Sequence, residues 1–155
     1  MVVGISHSLK AEYARIHGLD LEELLSDGGY KEKYRKEMIE WGEQKRAVDP
    51  DIFCRAAIAD GSSAEVVIVT DCRRQTDMDF FLGGFRTLTV RIESTAEERC
   101  RRGFRFTAGI DDAASECGLD DFPFELTVQN SISPDDQLEM IASRAKHLLS
   151  NLEDV

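Results

Sequence analysis

The sequence predicts an α/β protein, a parallel sheet flanked by helices. Three observations carry this. Short apolar segments alternate with helical patterns along the chain. Glu65 to Thr70 (EVVIVT) is a near-continuous β-branched run, as in a strand covered on both faces. No repeat, linker or low-complexity stretch interrupts the order, so residues 1–155 read as one domain.

Each element has a local reason. Val2 to Ile5 is a short apolar strand. A helix follows, with Ser6 or Ser8 as N-cap and Gly18 as its stop. Asp20 caps a short helix, Leu21 to Leu25, and Asp27-Gly28-Gly29 is a turn. Tyr30 to about Val48 is the clearest helix, because Tyr30, Tyr34, Met38 and Trp41 recur on one face. Asp49-Pro50 restarts a helix through Phe53 to about Ala59, ending near Gly61. After the β-branched run, Thr76 caps a short helix through Phe81 and Leu82. Thr87 to Ile92 alternates as a strand. Ser94 and Glu97 form a capping box for a helix ending near Gly103. Phe104 to Pro123 is loop-rich, and Leu126 to Gln129 is a last strand. Ser133-Pro134 opens a final amphipathic helix carrying Leu138, Ile141, Leu148 and Leu152. Ligands in such sheets lie beyond the carboxyl ends of the strands, which directs attention to Ser6, Asp71 and Asn130.

Composition narrows the function. Apolar residues make up 42% and charged residues 32%, as in ordinary globular proteins. The longest apolar run is a few residues, so no membrane span is expected. Neither a secretory signal nor a peroxisomal C-terminus is visible, and a cytosolic protein is expected. The net charge of −11 repels nucleic acid. The four cysteines form no CxxC pair, so neither a zinc site nor a disulfide framework is expected. The three histidines are scattered and suggest no nucleophilic device.

Against that negative charge, cations cluster in three places. At about 100° per residue, Lys31, Arg35, Gly42 and Arg46 fall within roughly 60° on the long helix. They border its apolar face, and Gly42 leaves room for something to approach the backbone. Spacing leaves two readings open: stems covering the core edge, or a polyanion-binding stripe. Asp71-Cys72-Arg73-Arg74 follows a strand directly. Its carboxylate suits a metal-bound water and its guanidinium forks suit phosphate oxygens, although a surface ion pair has the same sequence. Arg99, Arg101 and Arg102 precede Gly103, read either as a helix-dipole effect or as an arginine lid. Phosphoryl transfer needs such clusters, because its chemistry is mostly positioning and charge neutralisation.

Longer strings are more specific. Ser8-Leu9-Lys10-Ala11-Glu12-Tyr13-Ala14 and His17-Gly18-Leu19 come first. Tyr30-Lys31-Glu32, Arg35-Lys36 and Trp41-Gly42-Glu43-Gln44-Lys45-Arg46 follow, then Asp49-Pro50, Phe53-Cys54-Arg55 and Asp71-Cys72-Arg73-Arg74. Arg102-Gly103-Phe104, Gly109-Ile110-Asp111-Asp112-Ala113 and Ser115-Glu116-Cys117-Gly118-Leu119-Asp120 complete the order. Along nearly its whole length the chain resembles the animal-type phosphomevalonate kinases.

The resemblance implies transfer of the ATP γ-phosphoryl group to mevalonate 5-phosphate, with Mg²⁺ accompanying the nucleotide, on the way to isoprenoids and sterols. It implies a P-loop NTPase fold of the nucleoside monophosphate kinase type, and a monomer. By resemblance, Arg73, Arg74, Arg99 and Arg102 serve catalysis, and Asp71 holds the metal through a water. Arg102, Gln137 and the position of Ser131 contact ATP; the family has a His where this chain has Ser131. Lys10, Lys31, Arg35, Arg46, Arg55 and Asn130 bind substrate, and Arg91 is a further basic position. The family opens with a strand, a Gly-rich phosphate loop and a helix. Val2 to Ile5 resembles its second strand, so that first βα unit is missing from the sequence. An incomplete gene model or a fragment is the first explanation expected, and a shortened natural isoform the second. The rival readings are a non-catalytic phosphate-ester-binding protein without ATP binding, and a structural interaction domain.

Overall fold

A computed structural model describes residues 1–26, 28–59, 64–109, 111–130 and 134–150. The chain divides into two compact units, Met1–Phe80 and Phe81–Val155. Each contains a two-stranded parallel sheet among its described residues.

In the first unit, β1 (Val2–Val3) pairs with β2 (Ile68–Val69), Val2 opposite Ile68 and Val3 opposite Val69. Both strands are shorter than their apolar runs. Ile5 already belongs to α1 (Ile5–His17), so β1 ends at Val3. Main-chain bonds still continue along one side of the β-branched run. The Met1 ammonium donates to Val66 O at 2.7 Å, and Thr70 N donates to Val3 O at 3.1 Å. The expected two-faced burial is not found: Val66 and Ile68 are 41% and 55% exposed.

The helices explain most of the packing. Gly4, not Ser6 or Ser8, is the N-cap of α1, and it has no side chain to offer. Asp71 supplies the cap instead, from 66 residues away. Gly18 closes α1 at φ 65°, a left-handed position that favours glycine. Asp20 caps α2 (Leu21–Leu25) through Glu23 N at 3.0 Å, as expected. On α3 (Gly29–Val48), Tyr30, Tyr34, Met38 and Trp41 form the expected apolar face against Tyr13, Ala14 and Leu24. The turn expected at Asp27 and the helix stop at Gly61 lie outside the described residues.

α4 (Ile52–Ile58) starts later than Asp49-Pro50 implied. Asp49 is the last cap of α3, its N–H bonded to Lys45 O, and its carboxylate engages Arg55. Similarly, Thr76 does not cap α5 (Gln75–Gly84). Arg74 O receives Asp77 N and Met78 N, which puts Thr76 inside the first turn.

In the second unit, β3 (Val90–Glu93) pairs with β4 (Leu126–Gln129) over four residues. β3 starts at Val90 rather than Thr87, because Thr87 Oγ1 turns back to Phe81 O at 3.0 Å. α6 (Ala96–Arg101) is capped by Thr95, one residue beyond the expected Ser94, with Glu98 N donating at 3.1 Å. α7 (Ala114–Cys117) sits in the stretch read as loop, too short to show helical periodicity. α8 (Pro134–Ser150) begins with proline in its first turn. Ser133 and Leu152 lie outside the described residues. Among the described residues no helix is long and apolar enough to cross a membrane.

Gly42 has a packing role. A Cβ built there would lie 2.8 Å from Leu9 Cδ1, so what approaches this backbone is α1 rather than a ligand. Alanine in a helix interior is worth ~1 kcal/mol over glycine, and the contact with Leu9 offsets that gain. Gly42→Ala is therefore expected to stabilise by ~1 kcal/mol only in a Leu9→Ala background, by urea denaturation. The same gain in both backgrounds would remove the close approach.

Candidate functional site

Cations gather near the carboxyl end of the sheet in each unit. In the first unit, β2 runs into Asp71-Cys72-Arg73-Arg74. Both Asp71 oxygens are engaged: Oδ1 accepts from Ile5 N at 2.6 Å and Oδ2 from Ser6 N at 2.8 Å. An anion belongs at that helix N-terminus. An ionised carboxylate has about four acceptor positions, so Asp71 keeps capacity for a water. Among the described residues no group of three or more His, Cys, Asp or Glu could cage a metal. The acceptor positions left on Asp71 fit a metal-bound water.

The centre of the cluster is a residue that sequence reading missed. Asp77 is 1% exposed, in the first turn of α5. Its Oδ1 accepts from Arg46 Nη1 at 2.8 Å. Its Oδ2 accepts from the backbone N–H groups of Arg73 and Arg74 at 3.1 and 3.2 Å. An acid in the first helical turn, reaching back to the N-cap amide, is half of a capping box. That pattern after Arg73-Arg74 was the available signal; reading Thr76 as the cap hid it.

Arg46 is therefore not the exposed cation that the helical stripe suggested. It is 9% exposed, its guanidinium lies 5.1 Å over the Phe53 ring, and its Nε has no partner among the described residues. The stripe on α3 splits accordingly. Arg35 pairs with Glu32 at 3.3 Å on the surface, Lys31 is half-buried, and Gly42 sits under Leu9. Arg74 pairs with Glu43 of α3, and Arg55 with Asp49. Arg73 is exposed and Lys10 half-buried on α1.

Two thiols share this environment. Burial, then the Asp77 charge, pushes both Cys54 and Cys72 up to about 12. Cys54 Sγ lies 3.6 Å from Asp77 Oδ1.

In the second unit, a cavity of about 590 Å³ opens at the carboxyl ends of β3 and β4, lined by Arg91, Glu93, Ser94, Arg99, Gln129 and Asn130. Arg102 joins it: Nη2 donates to Asn130 O at 3.2 Å, and Nε to Glu98 at 2.9 Å. Gln137 donates to Gln129 O. Arg99 stacks over Phe104 at 5.2 Å. Arg91 pairs with Asp120 at 2.7 Å. So Arg99, Arg102, Asn130 and Gln137 meet around one strand end. Ser131 lies outside the described residues.

The sequence profile of phosphomevalonate kinase matches residues 1–87. A phosphomevalonate kinase of Drosophila melanogaster is 44% identical over 137 residues, covering 83% of this chain and 72% of that protein. The chain belongs to the phosphomevalonate kinase family. The profile match takes in Asp71, Arg73, Arg74 and Asp77, while the β3–β4 cavity lies beyond it. In this family member, then, the profile spans the cluster built on a buried ion pair.

Two outcomes follow. Removing one member of a buried pair costs ~3–5 kcal/mol, whereas replacing both by apolar groups is near neutral. Arg46→Met should lower stability by that amount in urea, and adding Asp77→Leu should recover only part of it, because the Arg73 and Arg74 amides then lose their acceptor. For the thiols, the unfolded groups titrate near 9.0 and the folded ones near 12. Between those values the unfolded state loses protons first, so this contribution to stability falls as pH rises from 9 to 12. At pH 8 both thiols stay protonated, with Cys54 buried and Cys72 only partly covered. A thiol reagent should then react with Cys100 and Cys117 first, with Cys72 more slowly, and with Cys54 only in denaturant. Fast labelling of Cys54 would contradict the burial.

Proposed function

We propose that the chain transfers the γ-phosphoryl group of ATP to mevalonate 5-phosphate, giving mevalonate 5-diphosphate and ADP. Membership of the phosphomevalonate kinase family carries this reading. The whole chain then acts as one kinase domain of the P-loop NTPase, nucleoside monophosphate kinase type, as a cytosolic monomer.

The residue roles rest on charge and exposure. Arg73 and Arg74, on a backbone fixed by Asp77, neutralise the phosphate oxygens as charge moves during transfer. Arg99 and Arg102 add charge, and Gln137 and the Ser131 position contact the nucleotide. Lys10, Lys31, Arg35, Arg55 and Asn130 hold the acceptor. Arg46, buried against Asp77, supports the arginine pair instead of touching substrate. Bound Mg²⁺ would neutralise nucleotide phosphate charge. Asp71 would hold a water of that ion, by the acceptor capacity left after the two helix amides.

The test is ADP release with ATP and mevalonate 5-phosphate, beside calorimetry of each ligand. ADP release that depends on mevalonate 5-phosphate supports the reading. Heat of binding from mevalonate 5-phosphate without ADP would return the chain to a non-catalytic phosphate-ester binder. Within the kinase reading, Arg73→Ala should cut turnover far more than it weakens mevalonate 5-phosphate binding. Equal losses in both would sink the transition-state role.

A further inference from the structure

The geometry points to Asp77, neutralised by Arg46, as a positioning residue for phosphoryl transfer that acts only through Arg73 and Arg74. The inference rests on the kinase reading above, in which those two arginines meet the transferring phosphate.

A strand end followed by two arginines has many accessible conformations, and long side chains amplify any error at their root. Here the two amides preceding α5 both donate to Asp77 Oδ2, at 3.1 and 3.2 Å. One oxygen thus holds two consecutive peptide units. The other oxygen is turned inward to Arg46 at 2.8 Å, so the carboxylate plane is fixed from both sides. Arg46 is itself held by the Phe53 ring at 5.1 Å. Asp71 anchors the opposite end of the same turn by accepting from Ile5 N and Ser6 N. The segment 71–74 is therefore clamped at both ends, by its own Asp71 carboxylate reaching out to α1 and by the Asp77 carboxylate reaching back from α5.

Exposure separates the roles. Asp77 is 1% exposed and cannot touch a substrate. Arg73 is exposed, and Arg74 is partly exposed and turned towards Glu43. A small displacement of a positioned charge is enough to lower turnover by ~10²-fold. Loss of the clamp should therefore appear in kcat, with substrate affinity largely kept.

The experiment is steady-state kinetics with ATP and mevalonate 5-phosphate on Asp77→Asn, Arg73→Ala and the double variant. Asp77→Asn is expected to lower kcat by roughly 10- to 100-fold, with KM for mevalonate 5-phosphate within about threefold. The double variant should lose less than the product of the two single losses, because with the Arg73 side chain gone Asp77 can act only through Arg74. Multiplying losses, or a KM that rises as much as kcat falls, would overturn the proposal. Should Asp77→Asn fail to fold, the Arg46→Met, Asp77→Leu pair removes both charges together. Its kcat should show the same loss, and wild-type kcat in that folded variant would also overturn the proposal. The layers separate cleanly. No turnover in the unmutated protein defeats the kinase reading and with it this inference, whereas wild-type turnover in Arg73→Ala leaves the kinase reading and removes the role of Arg73 on which this inference rests. Low turnover in Arg73→Ala with normal turnover in Asp77→Asn defeats the inference alone.

Discussion

Asp77 accepts hydrogen bonds from a guanidinium on α3 and from two amides at the start of α5, all within one buried carboxylate. A lone carboxylate taken out of water is costly. What makes this one tolerable is the use of its acceptors by a charge of opposite sign, by two amides that have no helical partner of their own and by the Cys54 thiol. It joins α3 to the 73–77 stretch, 31 residues away along the chain. α3 cannot shift without moving Arg46, and the loop after β2 cannot relax without losing two amide bonds. The arginine pair at the strand end takes its place from this interaction.

Exposure also sorts the other arginines. Arg35, Arg55, Arg91 and Arg102 pair with acids at accessible positions, where an ion pair contributes about 0–1 kcal/mol. Such partners are easily exchanged for a multiply charged phosphate. The side chain of Arg74, 26% exposed, faces Glu43 at 53%, which stays in the exchangeable class. The pair of Arg46 at 9% and Asp77 at 1% does not. A protein of net charge −11 can thus keep local cations ready for anions, because acids screen them on the surface while the Arg46–Asp77 pair is committed to the interior.

Helix ends complete the arrangement. α1 starts at a glycine that has no capping group, directly after β1, and receives a carboxylate from the end of β2. The cap and the sheet pairing therefore reinforce each other. Gly42 brings α1 and α3 close through Leu9, and Ser8 Oγ lies 2.9 Å from Phe53 O, tying α1 to α4.

Most elements could be read from the sequence, because their causes are local. The Tyr30, Tyr34, Met38 and Trp41 spacing, the Gly18 stop and the Asp20 cap each depend on neighbours a few residues away. The family, too, was visible in ordered strings of residues. What the sequence could not determine was the use of each charge. Asp71 looked like a metal-side carboxylate and is held by a helix end; Arg46 looked like a surface cation and is a buried counter-ion; Asp77 drew no attention at all. The strand lengths also came from elsewhere, since a β-branched run is a ladder only where another backbone lies beside it. Periodicity and caps act over one or two turns of chain and leave a local trace. Burial and ion pairing are decided by which distant segments meet, and only the tertiary structure brings them together.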